Sequence, residues 1–216
     1  MTSNSSTSVT RAAVVAIAPI VLLVAMASHP YIPDRLPDHA GVANAVADGT
    51  TRWALVHLAA AMASGVLVLA FIAIRGYLRE RGDRALSAIG LGFVVMGSVF
   101  YVLLPGMEFA PLAALESGAD PEAAQAALDD WFVPVLFIGA VLFAIGVGLV
   151  AAAIRRHAGL GPTLTMVVVL ALIVMVASRF APFAAAQLYV QSVAALIALL
   201  PLAWAIKEQP QVPSPA

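Results

Sequence analysis

A chain of 216 residues that is 62% hydrophobic and 11% charged, with mean hydropathy +0.97, carries too little charge to coat a water-soluble domain and belongs in a bilayer. The absence of cysteine excludes disulfide exchange, thiolate metal sites and thiol nucleophiles. A net charge of −1, with no basic face, excludes a nucleic-acid surface.

Residues 1–11 are polar with no core-forming pattern and predict a disordered cytoplasmic tail. The first apolar span covers 12–28, with Pro19 tolerated as a kink. The alternative is a signal peptide, with Arg11 before the apolar run and Ala25-Met26-Ala27 as the cleavage site, which would leave five spans. Pro30, Pro33 and Pro37 then forbid regular helix, and Asp38 is placed to cap a short surface helix. In it Val42, Ala45 and Val46 share a face, and Gly49 ends the run. The second span, 53–74, would cover about 33 Å at helical rise, enough for the hydrocarbon core. The third, 85–104, stops at Pro105-Gly106.

Asp120-Pro121-Glu122 combines a capping carboxylate, proline at the first helical position and an acid near the positive dipole end. It predicts a second surface helix from Pro121 to about Phe132, with Trp131 and Phe132 at headgroup level. Pro134 marks a bend into the fourth span, 133–154; the fifth is 163–178 and the sixth 184–206. The proline-rich residues 208–216 predict a second disordered cytoplasmic tail.

The basic residues orient these spans. With the amino terminus inside, Arg11, Arg75, Arg79, Arg81, Arg84, Arg155, Arg156 and Lys207 lie inside, and only Arg35, Arg52 and Arg179 outside. The fold class expected is therefore all-α, a polytopic bundle of six transmembrane helices with both termini cytoplasmic. Arginine outnumbers lysine ten to one and alanine is abundant, which points to a high-GC bacterial genome and so to a bacterial cytoplasmic membrane. The even spans end Ala73-Ile74-Arg75, Ala153-Ile154-Arg155 and Ala205-Ile206-Lys207; the positive-inside rule imposes such endings without any duplication.

Polar residues within the spans concentrate in the outer half. His57 lies about 8 Å below the outer edge of the second span, and Gln187 and Gln191 share a face of the sixth beside Tyr189 and Ser192. Ser98 and Tyr101 lie in the outer half of the third span, Glu108 just beyond it, and Ser178 and Arg179 at the outer end of the fifth. If these faces converge, His57, Tyr101, Glu108, Arg179, Gln187 and Gln191 form an outward-opening polar pocket; otherwise they are hydrogen-bonding glue, with Arg179 and Glu108 a boundary ion pair.

No catalytic set is legible. There is no G-x-S-x-G and no G-x-x-x-x-G-K, and His29, His39 and His57 lack the spacing of helical metal ligands, so neither metal nor cofactor is expected. Small residues recur at four-residue spacing at Ala61 and Gly65 and at Ala140, Ala144 and Gly148, stripes suited to close helix packing or self-association. In span layout the chain resembles six-span membrane proteins common in actinobacteria, a resemblance that implies no activity. The expected function is that of a non-enzymatic membrane protein acting by assembly, its partners the bilayer and another membrane protein or itself. The alternative is a small-solute transporter or receptor using the outer pocket.

Overall fold

The computed structural model describes residues 3–208; of the expected tails, residues 1–2 and 209–216 lie outside the described residues. Six helices are long and apolar enough to cross a membrane. They belong to α1 (Ser3–Ser28), α3 (Thr50–Glu80), α4 (Leu86–Met107), α7 (Asp129–His157), α8 (Pro162–Ala177) and α9 (Gln191–Lys207). Three short helices, α2 (His39–Asp48), α5 (Phe109–Glu116) and α6 (Pro121–Ala126), cluster at one end.

Consecutive spanning helices pack side by side, and α9 returns to pack on α1, so the six form a closed ring. Its exterior is apolar: Leu55, Met62, Met96, Ile173 and Trp204 are all exposed, a surface that requires lipid rather than water. Its interior, from mid-span toward the arginine-rich end, is filled by Phe71, Ile74, Tyr77, Leu78, Phe143, Ile154, Leu199 and Leu202. Phe71 and Phe143 meet edge to face at 6.0 Å across the ring.

Several boundaries differ from those expected. Helix α1 begins at Ser3 rather than after a disordered segment 1–11, because Ala12 and Val15 are buried against its neighbours and Arg11 pairs with Glu80. Once that turn is anchored, the preceding residues extend an existing helix without a new nucleation cost. The helix expected over 121–132 stops at Ala126. A new helix starts at Asp129, so Trp131 and Phe132 belong to the spanning α7, with Pro134 inside it. Pro105 likewise sits inside α4, which runs to Met107.

The glycines of the four-residue stripes are not those at which α4 and α7 meet. Gly65 and Gly148 have no neighbouring helix within 4 Å of where a Cβ would stand. Close approach occurs at Gly90 and Gly97 of α4 against Gly139 and Gly146 of α7. A Cβ on Gly97 would lie 2.6 Å from the Phe143 nitrogen, and one on Gly146 2.6 Å from the Val94 nitrogen. These glycines are seven apart in each helix, two turns along one face, a spacing that a search for four-residue repeats passes over.

The turn from α3 to α4 is built on Gly82, whose φ of +96° only glycine adopts at little cost. It brings the Asp83 N–H back to the Leu78 carbonyl at 3.0 Å, and the Asp83 carboxylate accepts the Ser87 N–H at 2.8 Å. Burial raises the Asp83 pKa, but the hydrogen bonds from Ser87 and Leu86 and the nearby His157 outweigh it and hold the carboxyl below its ordinary value. A depressed folded-state pKa contributes stability that is complete above the unfolded value of 3.8 and is lost as pH falls through the folded value. Melting of the purified protein against pH should therefore fall off below about pH 4, and Asp83→Asn should flatten that limb. Identical acid limbs in both proteins would contradict this.

At the opposite end α2, α5 and α6 form a cap with a small core of its own, made by Ile32, Val42, Val46, Trp53, Leu112 and Ala184. Asp38 caps α2 by accepting the Gly41 N–H at 2.9 Å, and Asp120 caps α6 through the N–H groups of Glu122 and Ala123. The segment before α2 is tied to the turn between α8 and α9 by an antiparallel bridge of Arg35 with Phe183 and by Leu36 N–H to the Pro182 carbonyl, 3.0 Å.

Candidate functional site

Between the cap and the packed interior the ring encloses a cavity of about 450 Å³. Its walls are largely apolar, and His57, Tyr101, Glu108, Arg179, Gln187 and Gln191 all line it. Its size and its few convergent polar groups are those of a small-molecule site.

Each of the six is positioned by a different local device. His57 sits on α3, where its Nδ1–H donates to the Trp53 carbonyl one turn earlier, 2.7 Å away. That bond places a proton on Nδ1, so that in the neutral ring Nε2 is the acceptor. Its ring packs at 4.4 Å on Trp53 and 5.0 Å from His29. His29, just past α1, makes the same kind of bond to the Pro30 carbonyl at 2.8 Å. Burial first, and the Arg52 guanidinium after it, hold His29 below the usual imidazole pKa despite that bond.

Glu108 closes α4. Its backbone carbonyl accepts the Trp53 indole N–H at 2.7 Å, and its Oε1 accepts from Gln125 Nε2 at 3.4 Å, while Oε2 is buried without a partner. Gln125 Oε1 is likewise buried and unpartnered. The boundary ion pair of Glu108 with Arg179 is not formed: the guanidinium lies over the Tyr101 ring, and Tyr101 precedes Glu108 on α4 by two helical turns, about 10 Å of rise.

Arg179 occupies a single 3₁₀ turn, Ser178–Phe180, that ends α8. Its side chain is drawn inward until only 5% of the residue is exposed. The guanidinium is sandwiched between the rings of Tyr101 at 3.8 Å and Phe143 at 3.7 Å, and Nε donates to Gln191 Oε1 at 2.7 Å. Its Nη1 is buried with no partner, and among the described residues no carboxylate forms an ion pair with it. Each cation–π contact returns about 0.5–2 kcal/mol. Burying an unpaired ion costs several. The site therefore holds a cation that the chain itself does not neutralise.

Gln187 and Gln191 enter through a π-turn, Ala186–Val190, that precedes α9; Gln187 Nε2 donates to the Ala181 carbonyl at 2.8 Å. Such wide turns concentrate at functional sites, and no residue pattern marks this one in advance. Phe143, Gln125 and Trp53 were not among the expected site residues, although each orients one of them. His39 also lines the cavity, held by Asp129 at 3.0 Å. Among the described residues, no three His, Asp or Glu side chains are placed to hold a metal ion. No family model, no curated protein and no solved structure matches the chain.

Proposed function

We propose that this chain is a multi-pass protein of a bacterial cytoplasmic membrane, with both termini in the cytoplasm, that binds a small solute in an outward-opening pocket and acts as a receptor. The observation that carries the reading is the cavity itself, lined by a buried, uncompensated arginine and beneath a cap of short helices. The basic residues argue for the orientation: the arginine-rich end belongs inside and the capped end outside. On that reading α2, α5 and α6 lie at the outer membrane surface.

A receptor is favoured over a carrier because transport needs an exit toward the cytoplasm. Below the cavity the ring is filled by the buried side chains of the main core, and Tyr77 OH donates to the Ala158 carbonyl at 2.6 Å near the inner mouth. A second reading, assembly with another membrane protein or a second copy, draws on Gly65 and Gly148, small residues that face away from the neighbouring helices.

The absence of cysteine makes the test direct. A single Gln187→Cys should react with a small membrane-impermeant methanethiosulfonate added outside intact cells, and Arg79→Cys should not. Labelling of residue 79 from outside would reverse the orientation. A residue 187 that reacts only after unfolding would remove the outward opening.

A further inference from the structure

We infer that the pocket takes a carboxylate-bearing amphiphile, its carboxylate held by Arg179 at the cavity floor and its apolar body lying along the cavity walls. This rests on the pocket reading above. The guanidinium leaves a donor unused: Nε is occupied by Gln191, the rings of Tyr101 and Phe143 lie against it, and Nη1 is buried without an acceptor. A guanidinium held in that way can still donate in its plane to an anion, the geometry in which arginine engages carboxylates.

The carboxylates that share the cavity do not fill this role. Asp129 is engaged by His39, Asp38 caps α2, and Glu108 faces Gln125 about two helical turns nearer the cap than the ring Arg179 covers. The guanidinium of Arg179 therefore stands deeper in the cavity than Glu108. An entering anion has its favourable partner at the deep end, and an uncharged ligand would leave Nη1 unsatisfied. Most of the rest of the lining, including Leu22, Leu67, Leu136, Phe137 and Leu188, is aliphatic or aromatic, which asks for an apolar body rather than a small hydrophilic acid.

The same chemistry can arrive from water or from the bilayer, so two probe pairs are needed. Full-length protein in phosphatidylcholine nanodiscs would be titrated calorimetrically with 3-phenylpropanoate against 3-phenylpropanamide, and with oleate against oleyl alcohol, empty nanodiscs serving as blanks. At least one carboxylate should bind saturably, one per chain, at least tenfold more tightly than its uncharged partner. Arg179→Gln should abolish that preference, and Arg179→Lys, which keeps the charge but loses the planar fork, should retain part of it. The pair that shows the preference identifies the source as aqueous or membrane-borne. Equal binding of acid and neutral partner by the native protein would overturn the carboxylate inference while leaving the pocket intact. Binding of none of the four would overturn both. Because these comparisons use the native chain, they hold even if a variant at Arg179 fails to fold.

Discussion

Gly97→Leu should leave no folded protein, and Gly97→Ala should cost about 3 kcal/mol. Overpacking a core costs about 1–3 kcal/mol where neighbouring side chains can yield. Here the nearest atoms to the new Cβ are main chain: the Phe143 nitrogen at 2.6 Å, the Gly139 oxygen at 2.9 Å and the Phe143 Cα at 2.9 Å. None can rotate away, so α4 and α7 must separate, and Phe143 is also one wall of the Arg179 sandwich. Gly148→Ala, one helix turn and more from this contact and meeting nothing within 4 Å, is the control; it should change stability by less than about 0.5 kcal/mol. Unfolding in graded denaturing detergent reads both. Equal tolerance at 97 and 148 would mean that the two helices do not approach as described.

The double substitution Arg179→Met with Gln191→Leu should raise stability by about 1–4 kcal/mol in the absence of ligand, the gain seen when a buried polar or ionic set gives way to apolar residues of similar volume. The two must change together. Arg179→Met alone leaves Gln191 Oε1 without its donor in a residue only 4% exposed, and Gln191→Leu alone leaves a cation with still fewer partners. The same double variant should lose carboxylate preference completely. A more stable protein that no longer discriminates is the signature of a residue kept for binding at the expense of stability. A double variant less stable than the native chain would instead make Arg179 a structural cation.

The sequence carries the six spanning segments because a bilayer imposes length and apolarity on each of them, and a run such as Trp53 to Ile74 has few other ways to fold. Caps were legible for the same local reason: Asp38 and Asp120 stand where helices need an acceptor. The position of Gly97 against Gly139 was not, since which glycines meet depends on how two helices are rotated about their axes, and Gly65 and Gly148, members of the four-residue stripes, meet nothing. The six polar residues could be grouped by depth, because side and depth follow from distance along each span. That the Arg179 guanidinium lies between Tyr101 and Phe143 while Glu108 turns to Gln125 depends on three helices and a 3₁₀ turn meeting in space, and no spacing in one chain segment encodes it.

The closure of the ring by α9 against α1 sets an order on how the molecule comes into being. Helices enter a membrane from the amino terminus onward, so until α9 arrives the buried stripe of α1, Ala12 to Met26, lacks one of its two walls. Arg179 at that stage lacks Gln191 as well. Without α9 the ring has an open seam running into the cavity, and the arrival of α9 both shuts that seam and gives the arginine its only side-chain hydrogen bond among the described residues. Closure of the ring and completion of the pocket are thus a single event, the docking of α9.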